Sequence, residues 1–148
     1  MPISSMFMKT LTRNFTVSDW QQRPEEKAWN AVEISCHLRD IDREVNYPRF
    51  QQVLAENQPF ITGVITDQWV EERAYTQEDG FSALDGFMRS RQQLLKILEP
   101  LEAADWQRQA RHTIFGPTTL AELVSFICTH DRSHVQQILE CMDAGIKK

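Results

Sequence analysis

The long apolar-periodic run through Leu123, Ile127, Ile138 and Met142 carries two histidines, His130 and His134, on its own inward stripe. Thr119 and Glu122 form a capping-box signature that opens this helix, and the spacing predicts that it ends before Gly145. With Leu123 as the zero of a helical wheel, Ile127, His130, His134 and Ile138 fall within roughly 60° of it. An i, i+4 pair lies one turn apart on one face, close enough for both imidazoles to hold a single ion. A lone histidine on such a stripe is commonly a hydrogen-bonded core residue. Two stacked on one stripe make a metal site an equal reading.

A helix of this kind needs others to cover its apolar face, and the chain supplies them. Asn30 and Glu33 form another capping box, so a helix starts near residue 31, with Ile34, Leu38, Ile41 and Val45 on one face. Pro48 falls inside this pattern and is expected to kink the helix, or to divide it from a continuation through Phe50, Val53 and Leu54. Asn57 to Thr66, with Pro59 and Gly63, reads as a loop, followed by a short helix around Asp67 to Arg73. Phe81, Leu84, Met88, Arg91, Leu95 and Leu98 mark a helix that Pro100 stops. Residues 99 to 118 read as a long connection. With a weaker helix near residues 4 to 14, the fold class is all-α: a four-helix bundle in a single domain, 1–148, with a shortened N-terminal helix.

The charge balance narrows the partners. A net charge of -5, with acids and bases interspersed, offers no basic stripe for nucleic acid and no polybasic patch for a membrane. No apolar run approaches the roughly 20 residues of a membrane span, and the first residues lack a signal-peptide core, so a cytoplasmic protein is expected. Cys36, Cys128 and Cys141 are an odd number without close pairing and suit a reducing compartment. Cys36 and Cys128 lie about 100° or more around their helices from the histidines, and Cys141 about 10 Å along the axis from His134, so all three read as core residues.

A third ligand has to come from a facing helix. His37 lies at the edge of the stripe formed by Ile34, Ile41 and Val45. Glu33, Asp40 and Glu44 share its flank at i-4, i+3 and i+7, so one carboxylate could orient the imidazole or serve as a further ligand. A solvated acidic face is the alternative for each.

Trp29-Asn30-Ala31-Val32-Glu33 with His37-Leu38-Arg39-Asp40, then Gly116-Pro117-Thr118-Thr119-Leu120 and His130-Asp131-Arg132-Ser133-His134, resembles the DinB-like superfamily of metal-binding four-helix bundles. The resemblance runs from about residue 16 to residue 142 and takes in Pro48-Arg49-Phe50, Pro59, Trp69, Phe87 with Arg91, and Trp106 before His112. It implies one divalent metal on His37, His130 and His134, the residues that the wheel and the facing helix also select. One departure is visible: few residues precede Thr16, so the first helix is short or needs a partner subunit to complete the bundle. A homodimer is expected for that reason.

Three neutral imidazoles leave an ion its full charge and open positions, which lowers the pKa of a bound water to about 7 or holds a thiolate. Zinc or nickel suits such ligands, with iron or manganese possible. The resemblance implies either a metal-dependent hydrolase or a thiol-dependent S-transferase acting on a small-molecule substrate, with a low-molecular-weight thiol as co-substrate in the second case. The other class is a non-catalytic metal-binding stress-response bundle; an open position beside a pocket argues for the enzyme, a fourth protein ligand without a pocket for the binder. Asp131 stands where a metalloprotease helix carries Glu, and only 17 residues follow it, too few for a phosphohydrolase of the His-Asp type. It is expected to support the site and not to act as a base. Arg49, after the Pro48 kink, and His112, in the connection before the last helix, are candidates for binding an anionic substrate. Gln137, three residues beyond His134, could hydrogen-bond into the site, and Trp29, Trp69 and Trp106 read as anchors between helix and loop.

Overall fold

In a computed structural model, which describes residues 2–147, the chain is mostly helical. Helix α1 (Pro2–Thr12) and the one-turn α2 (Val17–Gln21) precede α3 (Ala31–Ile41), which runs through a π-helical turn, Asp42–Asn46, into α4 (Tyr47–Ala55). After strand β1 (Phe60–Ile61) and the short α5 (Trp69–Glu72) comes α6 (Gly80–Leu98). The small α7 (Ala103–Trp106) leads to strands β2 (Gln109–His112) and β3 (Gly116–Thr119), and α8 (Leu120–Lys147) closes the chain.

Both capping boxes form as the sequence predicts. The Asn30 side chain accepts from the Glu33 amide at 2.9 Å while Glu33 accepts from the Asn30 amide at 3.0 Å, and Thr119 and Glu122 do the same at the head of α8. The bundle helices are α1, the α3–α4 rod, α6 and α8. Helices α6 and α8 each pack against both α1 and α3, which places α1 and α3 on opposite corners. The 11-residue α1 completes this square within one chain, with Met8 fully buried; its shortness does not leave the bundle open. At the start of α6, Gly80 lets the Trp20 ring lie where a Cβ would stand, at 2.2 Å.

Several boundaries differ from the sequence reading. Helix α8 does not end before Gly145 but continues to Lys147, because a glycine stops a helix where it turns left-handed, and Gly145 does not. Residues 99–118 are not a plain connection: they hold α7 and a hairpin pairing Gln109 with Thr119 and His112 with Gly116. Gly116 has the positive φ of 69° that the hairpin end requires. The 57–66 segment contributes β1, parallel to β2 with Ile61 opposite His112. Pro48 stands just beyond the π-helical turn that divides α3 from its continuation, as expected. It has no N–H to give, and the wide turn before it, in which the Tyr47 amide bonds back to the Asp42 carbonyl, lets Pro48 sit in the first turn of α4 where that N–H is not needed.

The core has two apolar clusters. One gathers Trp20, Ile34, Tyr75, Phe87 and Ile138; the other Phe50, Val53, Ile61, Leu94 and Leu120. Between them, midway along α3, α6 and α8, lies a layer of buried polar residues: His37, Asp42, Arg91, Asp131 and His134. No helix among the described residues is long and apolar enough to cross a membrane.

Candidate metal centre

His37 on α3 and His130 and His134 on α8 meet in this layer, with potential ligand nitrogens all within 4.8 Å of one another. The Nε2 atoms of His130 and His134 are 3.0 Å apart. Two imidazole nitrogens, each about 2.1 Å from one ion and about 90 to 110° apart around it, stand about 3.0 to 3.4 Å from each other. Ring centroids lie 4.4 Å apart for His130 and His134 and 4.8 Å for His37 and His134. Burial pushes the His37 imidazole down to about 3, helped by His134 and His130, and that of His134 down to about 4; burial also lowers His130. The rings are therefore neutral at pH 7, the form that ligates a metal.

The hydrogen bonding of the cluster is incomplete without a ligand. His37 Nδ1 is buried and has no hydrogen-bond partner among the described residues. His134 Nδ1–H donates to Gln137 Oε1 at 2.7 Å, which puts the proton on that nitrogen and leaves the Nε2 lone pair facing His130. A buried polar atom left unmet costs on the order of 1–3 kcal/mol, which a protein rarely tolerates without a partner from outside. The nitrogen donors, their neutrality and their spacing fit a divalent ion of the zinc or nickel kind.

Trp29 does more than anchor a loop. Its ring stacks on His134 with planes 7° apart and centroids 5.9 Å apart, and tilts against His37 at 4.8 Å. It precedes the Asn30 cap, and the Cys141 thiol donates to its carbonyl at 3.4 Å. The signal for this role was its position one residue before the cap of the helix that carries His37.

The carboxylates are employed elsewhere. Glu33 caps α3 and pairs with Arg23. Asp40 accepts from the Tyr75 hydroxyl at 2.6 Å, from Arg39 at 2.8 Å and from Arg73 at 3.0 Å, and Glu44 pairs with Arg73. None of them joins the histidine cluster. Asp131, next to His130 in sequence, turns to Arg91: the guanidinium donates to both of its oxygens, at 2.6 and 3.0 Å, and to both of Asp42's, at 2.7 and 3.2 Å. All three are 1 % exposed. Arg91 was visible in sequence as a charge on an apolar stripe, a position that only a buried counter-charge makes tenable.

Two cavities open beside the cluster, and His130 borders both. The first, about 550 Å³, has apolar walls from Val45, Phe50, Leu123, Phe126 and Ile127, and includes Arg49 and His112. The second, about 480 Å³, is bounded by Lys27, Trp29, Asp67, His134, Gln137 and Glu140. Lys27, Asp67 and Glu140 escape sequence reasoning because loop and outer-face charges are ordinarily solvated. Cys36 and Cys141 are buried, and burial raises both thiols, Cys141 to about 11, so neither is a ready nucleophile.

The chain is similar in fold to YfiT from Bacillus subtilis, described as a probable metal-dependent hydrolase with an unusual four-helix bundle topology. The two share 20% sequence identity, with a TM-score of 0.83 over 95% of this chain and 80% of that one. No curated protein matches the sequence at a significant level. The model of the DinB superfamily matches residues 7–138, and this chain belongs to that superfamily.

Proposed function

We propose that the protein is a metal-dependent hydrolase in which His37, His130 and His134 hold one divalent ion, zinc or nickel in preference to iron or manganese. The observation that carries this reading is a cluster of three neutral imidazoles, two buried and that of His130 half-buried, with no fourth ligand among the described residues, in which His130 borders two cavities and His134 one of them. An ion bound there would supply a Lewis acid that lowers the pKa of a bound water to about 7, or that holds a thiolate. The chain's own residues then have separate tasks. Gln137 keeps the proton of His134 on Nδ1, Trp29 shields two of the rings from solvent, and the pairing of Arg91 with Asp42 and Asp131 fixes α8 against α6 and the α3–α4 rod. A non-catalytic metal-binding bundle is less well supported, since it needs neither an open side to the ligand set nor a pair of adjoining cavities.

A thiol-dependent transferase is the second reading, favoured by the cavity with Lys27, Asp67 and Glu140, whose mixed charges suit a zwitterionic low-molecular-weight thiol as co-substrate. Elemental analysis of the purified protein, followed by parallel ester-hydrolysis and thiol-transfer assays, tests both. Stoichiometric metal in the His37, His130 and His134 triple alanine variant would overturn the site. As for assembly, the exposed Ile3, Met6 and Phe7 on the outer face of α1 support a homodimer in solution. Light scattering at the mass of one chain would overturn that.

A further inference from the structure

The cavity of about 550 Å³ is of ordinary size for a small-molecule site, and its charge content is unusual for this chain. The protein carries 21 acidic residues against 16 basic ones, yet no Asp or Glu lines this cavity. Among the described residues its one permanent cation is Arg49, half-buried after the wide turn of the α3–α4 rod. One Arg49 nitrogen donates to the Thr62 carbonyl at 2.8 Å, which orients the guanidinium, and among the described residues no carboxylate lies within ion-pairing distance of it. Among the described residues this half-buried guanidinium, beside largely apolar walls, has one hydrogen-bond acceptor and no counter-charge.

His112 adds a second donor. The hairpin turn aims the Ile114 and Phe115 amides at its Nδ1, at 3.1 and 3.4 Å, so that nitrogen accepts and the proton resides on Nε2. Burial and the charge of Arg49 both keep the ring neutral. The polar groups that Arg49 and His112 bring to the cavity are thus N–H donors, beside walls formed by Val45, Phe50, Phe126 and Ile127, while His130 stands on the border with the ligand cluster.

We propose that this cavity binds a small apolar carboxylic acid, its carboxylate held by Arg49 and His112 and its hydrocarbon or aromatic body lying against Phe50, Phe126 and Ile127. A guanidinium fork matches a planar carboxylate, and a single cation balances a single negative charge; a dianion would leave one charge uncompensated among apolar side chains. The proposal rests on the reading of the three histidines as the reacting centre only in its statement that the acid is a substrate. Binding itself does not depend on that reading.

Calorimetry with 4-phenylbutyrate, its neutral amide and the corresponding amine as probes tests this on the full chain, both zinc-loaded and chelator-treated. The carboxylate is expected to bind at least tenfold tighter than the amide in both forms, with the amine weakest. Arg49→Gln should abolish the preference. Phe126→Glu, at a residue 41% exposed, should reverse it in favour of the amine. Equal binding of acid and amide, a preference that survives both substitutions, or a preference present only with zinc would overturn the proposal, the last by placing the anion on the metal. If the preference persists while His134→Ala binds zinc as well as the parent protein does, the carboxylate site stands and the metal reading falls.

Discussion

Two polar clusters share the middle layer of this bundle, one residue apart on α8, and they are built on opposite terms. Around Arg91, every oxygen of Asp42 and Asp131 accepts a hydrogen bond from the guanidinium, and Asn46 adds another to Asp42 at 2.9 Å. Around His37, a buried nitrogen has no partner among the described residues and two Nε2 atoms face each other. A cluster that satisfies itself is part of the scaffold; one that stops short of doing so is arranged for something that arrives from outside. Adjacent residues, His130 and Asp131, thus serve different ends because they point a third of a turn apart.

Breaking the self-satisfied cluster should give the larger effect. Arg91→Met strands two buried carboxylates and should cost about 3–5 kcal/mol, read as a fall in the urea midpoint; replacing Asp42, Arg91 and Asp131 together by apolar residues should recover much of it. If Arg91→Met alone is neutral, the network is not what secures α8.

The histidine cluster should show its contribution only when metal is present. At free zinc near 100 times its dissociation constant, the parent protein should gain about 2.7 kcal/mol and His134→Ala none, while the two apoproteins differ little. Thermal denaturation with and without zinc measures both quantities, and an equal zinc effect in the two proteins would erase the contrast between the clusters.

Asp131→Asn separates the neighbours. It should lose about 2 kcal/mol of stability through the weakened bond to Arg91, with zinc content unchanged. Smaller still, Gln137→Ala should weaken zinc about tenfold, near 1.4 kcal/mol, by releasing the His134 proton from its fixed nitrogen. Competition with a chromophoric chelator resolves a change of that size.

The legible parts of this fold were those in which a local signal acts alone. Asn30 with Glu33, and Thr119 with Glu122, announce helix starts through bonds three residues apart, and the stripe from Leu123 to Ile138 shows which face of α8 turns inward. The three histidines followed from that stripe and a facing helix. The hairpin was not legible because β1 has two residues and β2 and β3 four each, too short for an alternating pattern, and Gly116-Pro117 reads as loop. The fate of the carboxylates was equally hidden. Glu33, Asp40 and Asp131 sit on the expected flanks, but which cation claims each depends on Arg23, Arg73 and Arg91, which other parts of the chain bring in.

The wide turn at Asp42–Asn46 works as a phase shifter within a single rod. Each residue of an α-helix advances the direction of its side chains by about 100°, so one surplus residue offsets everything beyond it by that angle. The α3 end keeps His37 aimed at the ligand cluster while the α4 end independently sets Phe50 and Arg49 into the larger cavity. Removing one of the exposed residues Arg43 or Glu44 would straighten the ladder and rotate α4 by about 100° relative to α3. His37 would stay where it is and Arg49 would swing away, so a single-residue deletion parts the histidine cluster from the cation of the larger cavity.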